Sequence, residues 1–221
     1  MSEIRAFLFD MDGVIIDSNP LHRVVWDEYN RRNGLETTEE MHAAMYGKRN
    51  DQIVRMYFGA HLTDAEVEEY GDAKEALYRE MMASQLEESL VPGVREFLAG
   101  LNGTPSAVAT NANKANLDFV LDGSGLRKYF PVAVHGGAVV NPKPHPEVYL
   151  KAAELLGVEP GQCVVFEDSH GGVAAGVAAG MRVVGISTTY AELPGTAVVV
   201  RDFRDPVLGA WLAERGFRLR G

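Results

Sequence analysis

The sequence predicts an α/β protein in which a doubly wound parallel sheet carries an inserted α-helical domain. Short apolar runs that stop at polar residues recur along the chain. Helical patterns alternate with them over 91–221, and the stretch 18–90 holds helical patterns and no convincing strand. The first run, Ala6-Phe7-Leu8-Phe9, comes at once and ends at Asp10. It has no polar alternation, so it suits a strand covered on both faces, as parallel strands are.

The elements follow in order. Leu21, Val24, Val25 and Tyr29 recur at helical spacing, with Pro20 near the start of that helix. Segments 38–46, 49–58 and 64–84 are also helical and rich in Glu, Ala and Met. The chain returns to the sheet near Val91-Pro92-Gly93, which makes 13–19 and 88–92 paired hinges. The expected division is a core domain of 1–17 with 91–221 and a helical cap of 18–90. Further strands are expected at Ser106 to Ala109, Val132 to Val134, Cys163 to Phe166, Arg182 to Ile186 and Ala197 to Val200. Helices are expected at 93–101, 112–124, 145–156 and 170–179. The small residues of 171–180 read as a helix packed closely against the sheet, and no repeat of solenoid length is present.

A chain of 221 residues with 46% hydrophobic and 24% charged residues has material for one sizeable core with an insertion. Its net charge of −10 argues against a nucleic-acid surface, which needs a basic footprint. The single cysteine, Cys163, excludes an intrachain disulfide and a multi-cysteine metal cluster. It reads as a small buried strand residue, with a reactive thiol as the alternative. No basic segment leads into an apolar one, and no apolar stretch approaches the roughly 18 residues of a membrane span. A cytoplasmic protein with neither membrane nor nucleic-acid partners is therefore expected. A monomer or weak dimer is the default expectation, though no residue pattern carries it.

The segment Phe9-Asp10-Met11-Asp12-Gly13 is the most informative. Two carboxylates follow a buried strand directly, at the sheet edge where doubly wound proteins bind ligands. A carboxylate set against a phosphate needs a divalent cation to suppress repulsion, and Mg2+ suits a site of one or two carboxylates plus phosphate oxygen and water. Asp10 would then be the nucleophile, and Asp12 the group that protonates the leaving alkoxide and activates the incoming oxygen. Taken alone, Asp-x-Asp also fits an acidic turn.

Phe-Asp-Met-Asp-Gly-Val-Ile-Ile-Asp-Ser closely resembles the first motif of the haloacid dehalogenase superfamily. It is similar to the branch with a helical cap inserted after that motif, which includes sugar-phosphate phosphatases, phosphoglycolate phosphatases and β-phosphoglucomutases. The resemblance implies a Rossmann-like core and spans essentially the whole chain, because three further motifs follow in the family's order. In Ala109-Thr110-Asn111, a strand end offers a hydroxyl and an amide to phosphate oxygens, or simply caps a helix. The resemblance makes Thr110 the phosphate-binding residue, with Asn111 beside it.

In Asn141-Pro142-Lys143-Pro144-His145-Pro146, three prolines fix the backbone around one cation, which is otherwise an ordinary loop lysine. The resemblance makes Lys143 the group that neutralises the nucleophile and the transferring phosphoryl, and His145 reads as a helix-start residue. The run Val164-Val165-Phe166 ends in Glu167-Asp168, a pair that also suits helix capping. By resemblance, Asp168 ligates Mg2+ directly and Glu167 directly or through water, together with Asp10 and the main-chain carbonyl of Asp12.

In the cap, His22 stands where many relatives carry histidine, and a helix-surface role is the alternative. Gly47-Lys48-Arg49 makes a cationic loop, and Arg49 suits a substrate phosphate or carboxylate. β-Phosphoglucomutases carry Gly-x-x-Arg here, one residue longer than this spacing. Lys74 and Tyr78 match a Lys and Tyr of the mutase cap, and Lys114 follows the second motif near the cap entrance. The expected function is a Mg2+-dependent phosphatase for a small phosphorylated metabolite, with a β-phosphoglucomutase-type mutase as the alternative. Asp12 argues against carbon–halogen cleavage and makes a phosphonatase remote. Retention of Asp10, Asp12, Lys143 and Asp168 argues against a catalytically silent binding protein.

Overall fold

A computed structural model of the chain describes residues 3–45 and 48–219, so Gly47 of the cationic loop lies outside the described residues. The chain forms two compact units, one of 1–17 with 87–221 and one of 18–86. The return segment belongs with the first unit because its backbone is tied there. Asp17 N–H donates to Ser89 O at 2.8 Å, and Val91 N–H donates to Ile15 O at 3.0 Å.

The first unit is built on six parallel strands: β1 (Ala6–Phe9), β2 (Ser106–Ala109), β3 (Val132–Val134), β4 (Cys163–Glu167), β5 (Arg182–Ile186) and β6 (Val198–Val200). They lie in the order β3-β2-β1-β4-β5-β6, a doubly wound, Rossmann-like sheet. Among the described residues of this unit, the α-helices are α5 (Val94–Gly100), α6 (Lys114–Gly123), α7 (Glu147–Leu156), α8 (His170–Ala178) and α9 (Pro206–Ala213). The last of these is absent from the sequence expectation.

Strand β1 is sealed on both sides, as its unbroken apolar run requires. Ala6 and Leu8 join Ala107, Val165 and Val183 beneath Val148, Tyr149 and Ala152 of α7 and Val173 and Ala175 of α8. Phe7 and Phe9 face the other way into aromatic packing, with Phe9 4.9 Å from Phe166 and Phe97 4.9 Å from Phe203, centroid to centroid. The small residues of α8 have a steric cause: a Cβ on Gly176 would lie 2.7 Å from a methyl of Val183.

The second unit contains α1 (Asn19–Arg32), α2 (Glu39–Met45), α3 (Asn50–Phe58) and α4 (Asp64–Met82). Thr63 and Glu66 form a reciprocal capping box that starts α4, and Trp26, Val54, Tyr57 and Leu77 are buried. Among the described residues, no helix is long and apolar enough to cross a membrane.

Candidate active site

The strand order reverses direction at β1: the chain steps to β2 on one side and later to β4 on the other. Crevices of this kind, beyond the carboxyl ends of the strands, are where open α/β sheets bind ligands. Register places Phe9 beside both Val108 and Phe166, so the residues just past these strand ends are neighbours. Asp10 follows β1, Thr110 follows β2, Glu167 ends β4 and Asp168 follows it. Asp10, Thr110, Glu167 and Asp168 are all buried.

Lys143 reaches this group from the loop before α7. Its Nζ lies 2.8 Å from Asp10 Oδ1 and 2.7 Å from Glu167 Oε1, with the side chain only 5% exposed. The ring of Tyr149 lies 4.7 Å from the ammonium, and its hydroxyl donates to Glu167 Oε1 at 2.6 Å. Glu167 Oε2 accepts from Asp168 N–H at 3.0 Å, Ser169 N–H at 3.2 Å and the Ser169 hydroxyl at 3.1 Å. These five donors match or exceed the roughly four lone-pair positions of a carboxylate. Glu167 is thus fixed by protein groups on both oxygens.

Burial dominates the electrostatics. It pushes the Asp10 carboxyl up to about 7, against the pull of Lys143 and with Glu167 and Asp12 adding to the push. Burial likewise raises Asp168 well above the usual carboxylate range, reinforced by Glu167 and Asp10. Lys143 would be lowered by its own burial, but Asp10 and Glu167 more than reverse this and raise it.

Carboxylate oxygens of Asp10, Glu167 and Asp168 lie within 4.8 Å of one another. The donor set is all oxygen and carries more negative charge than one lysine balances, which fits a small hard dication. A glycine is required beside it. Gly13 has φ +74°, and a Cβ there would lie 1.9 Å from Asp168 Oδ2.

Thr110 is buried, and its Oγ1 accepts from Ala112 N–H at 3.1 Å, which shapes the turn leading to α6. Asn111 Oδ1 accepts from Lys143 N–H at 3.1 Å, so this residue supports the lysine loop. His145 Nδ1 accepts from Glu147 N–H at 3.3 Å, at the start of α7. Asp12 joins Ile16 in an isolated bridge in the turn after β1.

In the helical unit, Lys74 is 2% exposed, and its Nζ lies 2.8 Å from Glu75 Oε1 and 3.0 Å from His22 Nδ1. The His22 ring stacks on Tyr78 at 4.2 Å. The cation expected to meet substrate is thus balanced inside its own unit. Arg49 precedes α3 and pairs with Asp51 at 3.1 Å, its side chain 49% exposed. Lys114 pairs with Asp118 one helical turn on, at 2.5 Å.

Four residues that touch the site were given no role by sequence reasoning: Tyr149 and Ser169 on Glu167, Thr188 on Gly13 and Thr189 on Asp168. Tyr149 sits in the apolar stripe of α7 and reads as core. Its one available signal is that a buried tyrosine hydroxyl needs a partner.

The family profile for haloacid dehalogenase-like hydrolases matches residues 4–180. Protein CbbY of Rhodobacter capsulatus is 32% identical over 219 residues, covering 94% of this chain and 95% of that one. Fructose-1-phosphate phosphatase YqaB of Escherichia coli is 33% identical over 181 residues, covering 82% of this chain and 95% of its own length. The crystal structure of β-phosphoglucomutase from Clostridium difficile superposes with a TM-score of 0.82 over 96% of each chain. At 24% identity, that is a likeness of fold.

Proposed function

The chain belongs to the haloacid dehalogenase-like hydrolases, and from that premise we propose that it is a Mg2+-dependent phosphatase of small phosphorylated metabolites. Sugar phosphates and phosphoglycolate-like acids are the substrate class, and Asp10 is the phosphoryl carrier. The observation that carries this reading is the buried lysine bridge: Lys143 Nζ is 2.8 Å from Asp10 Oδ1 and 2.7 Å from Glu167 Oε1. Such a cation, already desolvated and fixed, stabilises charge that develops on a transferring group.

In the first half-reaction an ionised Asp10 oxygen attacks phosphorus, the ester P–O bond breaks, and Asp12 gives its proton to the leaving alkoxide. In the second, Asp12 takes a proton from water as the water oxygen attacks phosphorus, which releases inorganic phosphate and regenerates Asp10. Thr110, at the adjacent strand end, offers its hydroxyl to the phosphoryl oxygens, and Asn111 holds the Lys143 loop against them. Asp10, Asp168 and the Asp12 carbonyl would ligate Mg2+. Glu167, whose oxygens already accept from five protein donors, would lend its charge to the Mg2+ site and hold Lys143 beside it. When bound, Mg2+ supplies the positive charge that keeps Asp10 ionised and offsets its repulsion from the phosphoryl group.

Within the helical unit, Arg49 is the proposed selector of a substrate anionic group, with Lys74 and His22 holding that unit's polar interior. The proposed setting is the cytoplasm. The test is a panel of phosphate esters with Mg2+: fructose 1-phosphate, phosphoglycolate, and β-glucose 1-phosphate with and without its bisphosphate. Phosphate release without isomerised sugar is expected, and Asp10→Asn should lose more than about 1,000-fold in kcat. Isomerised glucose phosphate without phosphate release would make the protein a mutase. Full activity in Asp10→Asn would remove the aspartyl carrier.

A further inference from the structure

The loop after β5 carries two adjacent hydroxyls that touch two different pieces of the site. Thr188 Oγ1 donates to Gly13 O at 2.5 Å, and Thr189 Oγ1 donates to Asp168 Oδ2. The partners lie 175 and 21 residues away along the chain. They also lie against each other, since a Cβ on Gly13 would meet Asp168 Oδ2 at 1.9 Å. The loop itself starts from a fixed point, because Ser187 N–H donates to Val200 O at 2.9 Å as β5 ends. Consecutive residues of one anchored loop therefore hold the turn after β1 and the carboxylate after β4 in a single register.

We propose that Thr188 and Thr189 form a clamp that sets the Asp168 carboxylate for Mg2+, with Thr189 as the positioning residue and Thr188 fixing the Gly13 turn against it. The inference rests on Asp168 being a Mg2+ ligand, as proposed above. A ligand carboxylate on a short side chain has two soft torsions, and a hydroxyl on one oxygen removes most of that freedom. It leaves the other oxygen presented in one direction. The neighbouring contact does the same for the main chain of the Asp12-Gly13 turn, whose Asp12 carbonyl belongs to the same proposed ligand set.

The test is calorimetric titration of the full chain with MgCl2 at neutral pH, without substrate. Partners that orient a ligand in this way are worth roughly 10- to 100-fold in metal affinity. Thr189→Val, which keeps the shape and removes the hydroxyl, is expected to weaken Mg2+ binding at least tenfold. Thr189→Ser is expected to return it to near the parent value, and both variants should melt close to the parent. Thr188→Val should weaken binding in the same direction. Thr189→Val within twofold of the parent, or Thr189→Ser as weak as Thr189→Val, would overturn the clamp. Thr188→Val within twofold would remove Thr188 from it. A parent chain that takes up no Mg2+ fails differently, because it overturns the metal reading on which the clamp depends.

Discussion

Replacing Lys143 by Met tests the electrostatics of the site most directly, because methionine keeps most of the side-chain volume beside the Tyr149 ring and removes only the charge. The ammonium lies 2.8 Å from Asp10 and 2.7 Å from Glu167. At an effective dielectric near 20, each contact corresponds to about 6 kcal/mol of Coulomb attraction. Desolvating the ammonium costs several kcal/mol in return, so breaking a buried pair typically shows a net loss of about 3–5 kcal/mol.

Here the loss has an escape route. Burial has already pushed Asp10 up to about 7 despite Lys143, and without that cation it rises further. The metal-free variant therefore takes up a proton instead of burying an unpaired charge. The sign follows: a carboxyl whose folded pKa exceeds its unfolded value stabilises the fold at low pH and loses that contribution as pH rises through the folded pKa. The deficit of Lys143→Met relative to the parent should be small at pH 6 and grow towards about 1.4 kcal/mol at pH 8, the most that one pH unit above the parent's Asp10 value allows. Urea unfolding in EDTA at the two values measures it. Catalysis, measured with Mg2+, should suffer at both because the fixed cation is gone; kcat should fall by about 1,000-fold or more. A kcat within tenfold of the parent, or a deficit larger at pH 6 than at pH 8, would refute this account.

Two further outcomes are expected. Gly13→Ala forces a Cβ within 1.9 Å of Asp168 Oδ2 at a φ of +74°, so it should lose at least about 100-fold in kcat together with Mg2+ affinity, measured by ester hydrolysis and calorimetry. In the helical unit, burial alone would raise Glu75, but Lys74, His22 and Asn50 hold it at about 2, below its ordinary 4.5. Its contribution to stability, about 3 kcal/mol, is present above pH 4.5 and is lost as pH falls towards 2. Chemical unfolding of the parent between pH 5 and 3 should show that slope, and Glu75→Gln should flatten it.

The carboxylates and the lysine were legible because each lies next to a strong local signal. Asp10 and Glu167-Asp168 end apolar runs, a parallel sheet sends all such ends to one edge, and three prolines frame Lys143. What was not legible is what those groups touch. Tyr149 reaches Glu167 across 18 residues and Thr189 reaches Asp168 across 21, and neither pairing leaves a periodicity. The contacts of Lys74 were hidden for a related reason. Spacing points to Tyr78, one turn on, whose ring centroid does lie 6.0 Å from Nζ, but neighbours one apart on a helix seldom face each other, so the pairing with the adjacent Glu75 left no cue. The helix at Pro206–Ala213 escaped because it is short and nearly uniform in polarity, with few periodic cues.

The lysine loop explains how one cation serves a site with three buried carboxylates. Asn111 Oδ1 accepts from Lys143 N–H at 3.1 Å, and Glu147 accepts from Val140 and Asn141 N–H at 2.8 and 2.9 Å. The backbone on which Lys143 stands is thereby tied to α7 and to the end of β2. Glu167, saturated by five donors of which the ammonium is one, shares that ammonium with Asp10. A lysine paired with Asp10 alone would be bound most tightly in the ground state, which lowers the energy of the resting enzyme and raises the barrier. Sharing it with Glu167 leaves the cation in place while its hold on Asp10 stays divided. In the proposed reaction, as Asp10 donates its electrons to phosphorus and its negative charge moves outward, the ammonium would keep one partner and gain attraction to the phosphoryl oxygens. Under the proposed mechanism, that difference between ground and transition states is what the lysine contributes to the rate.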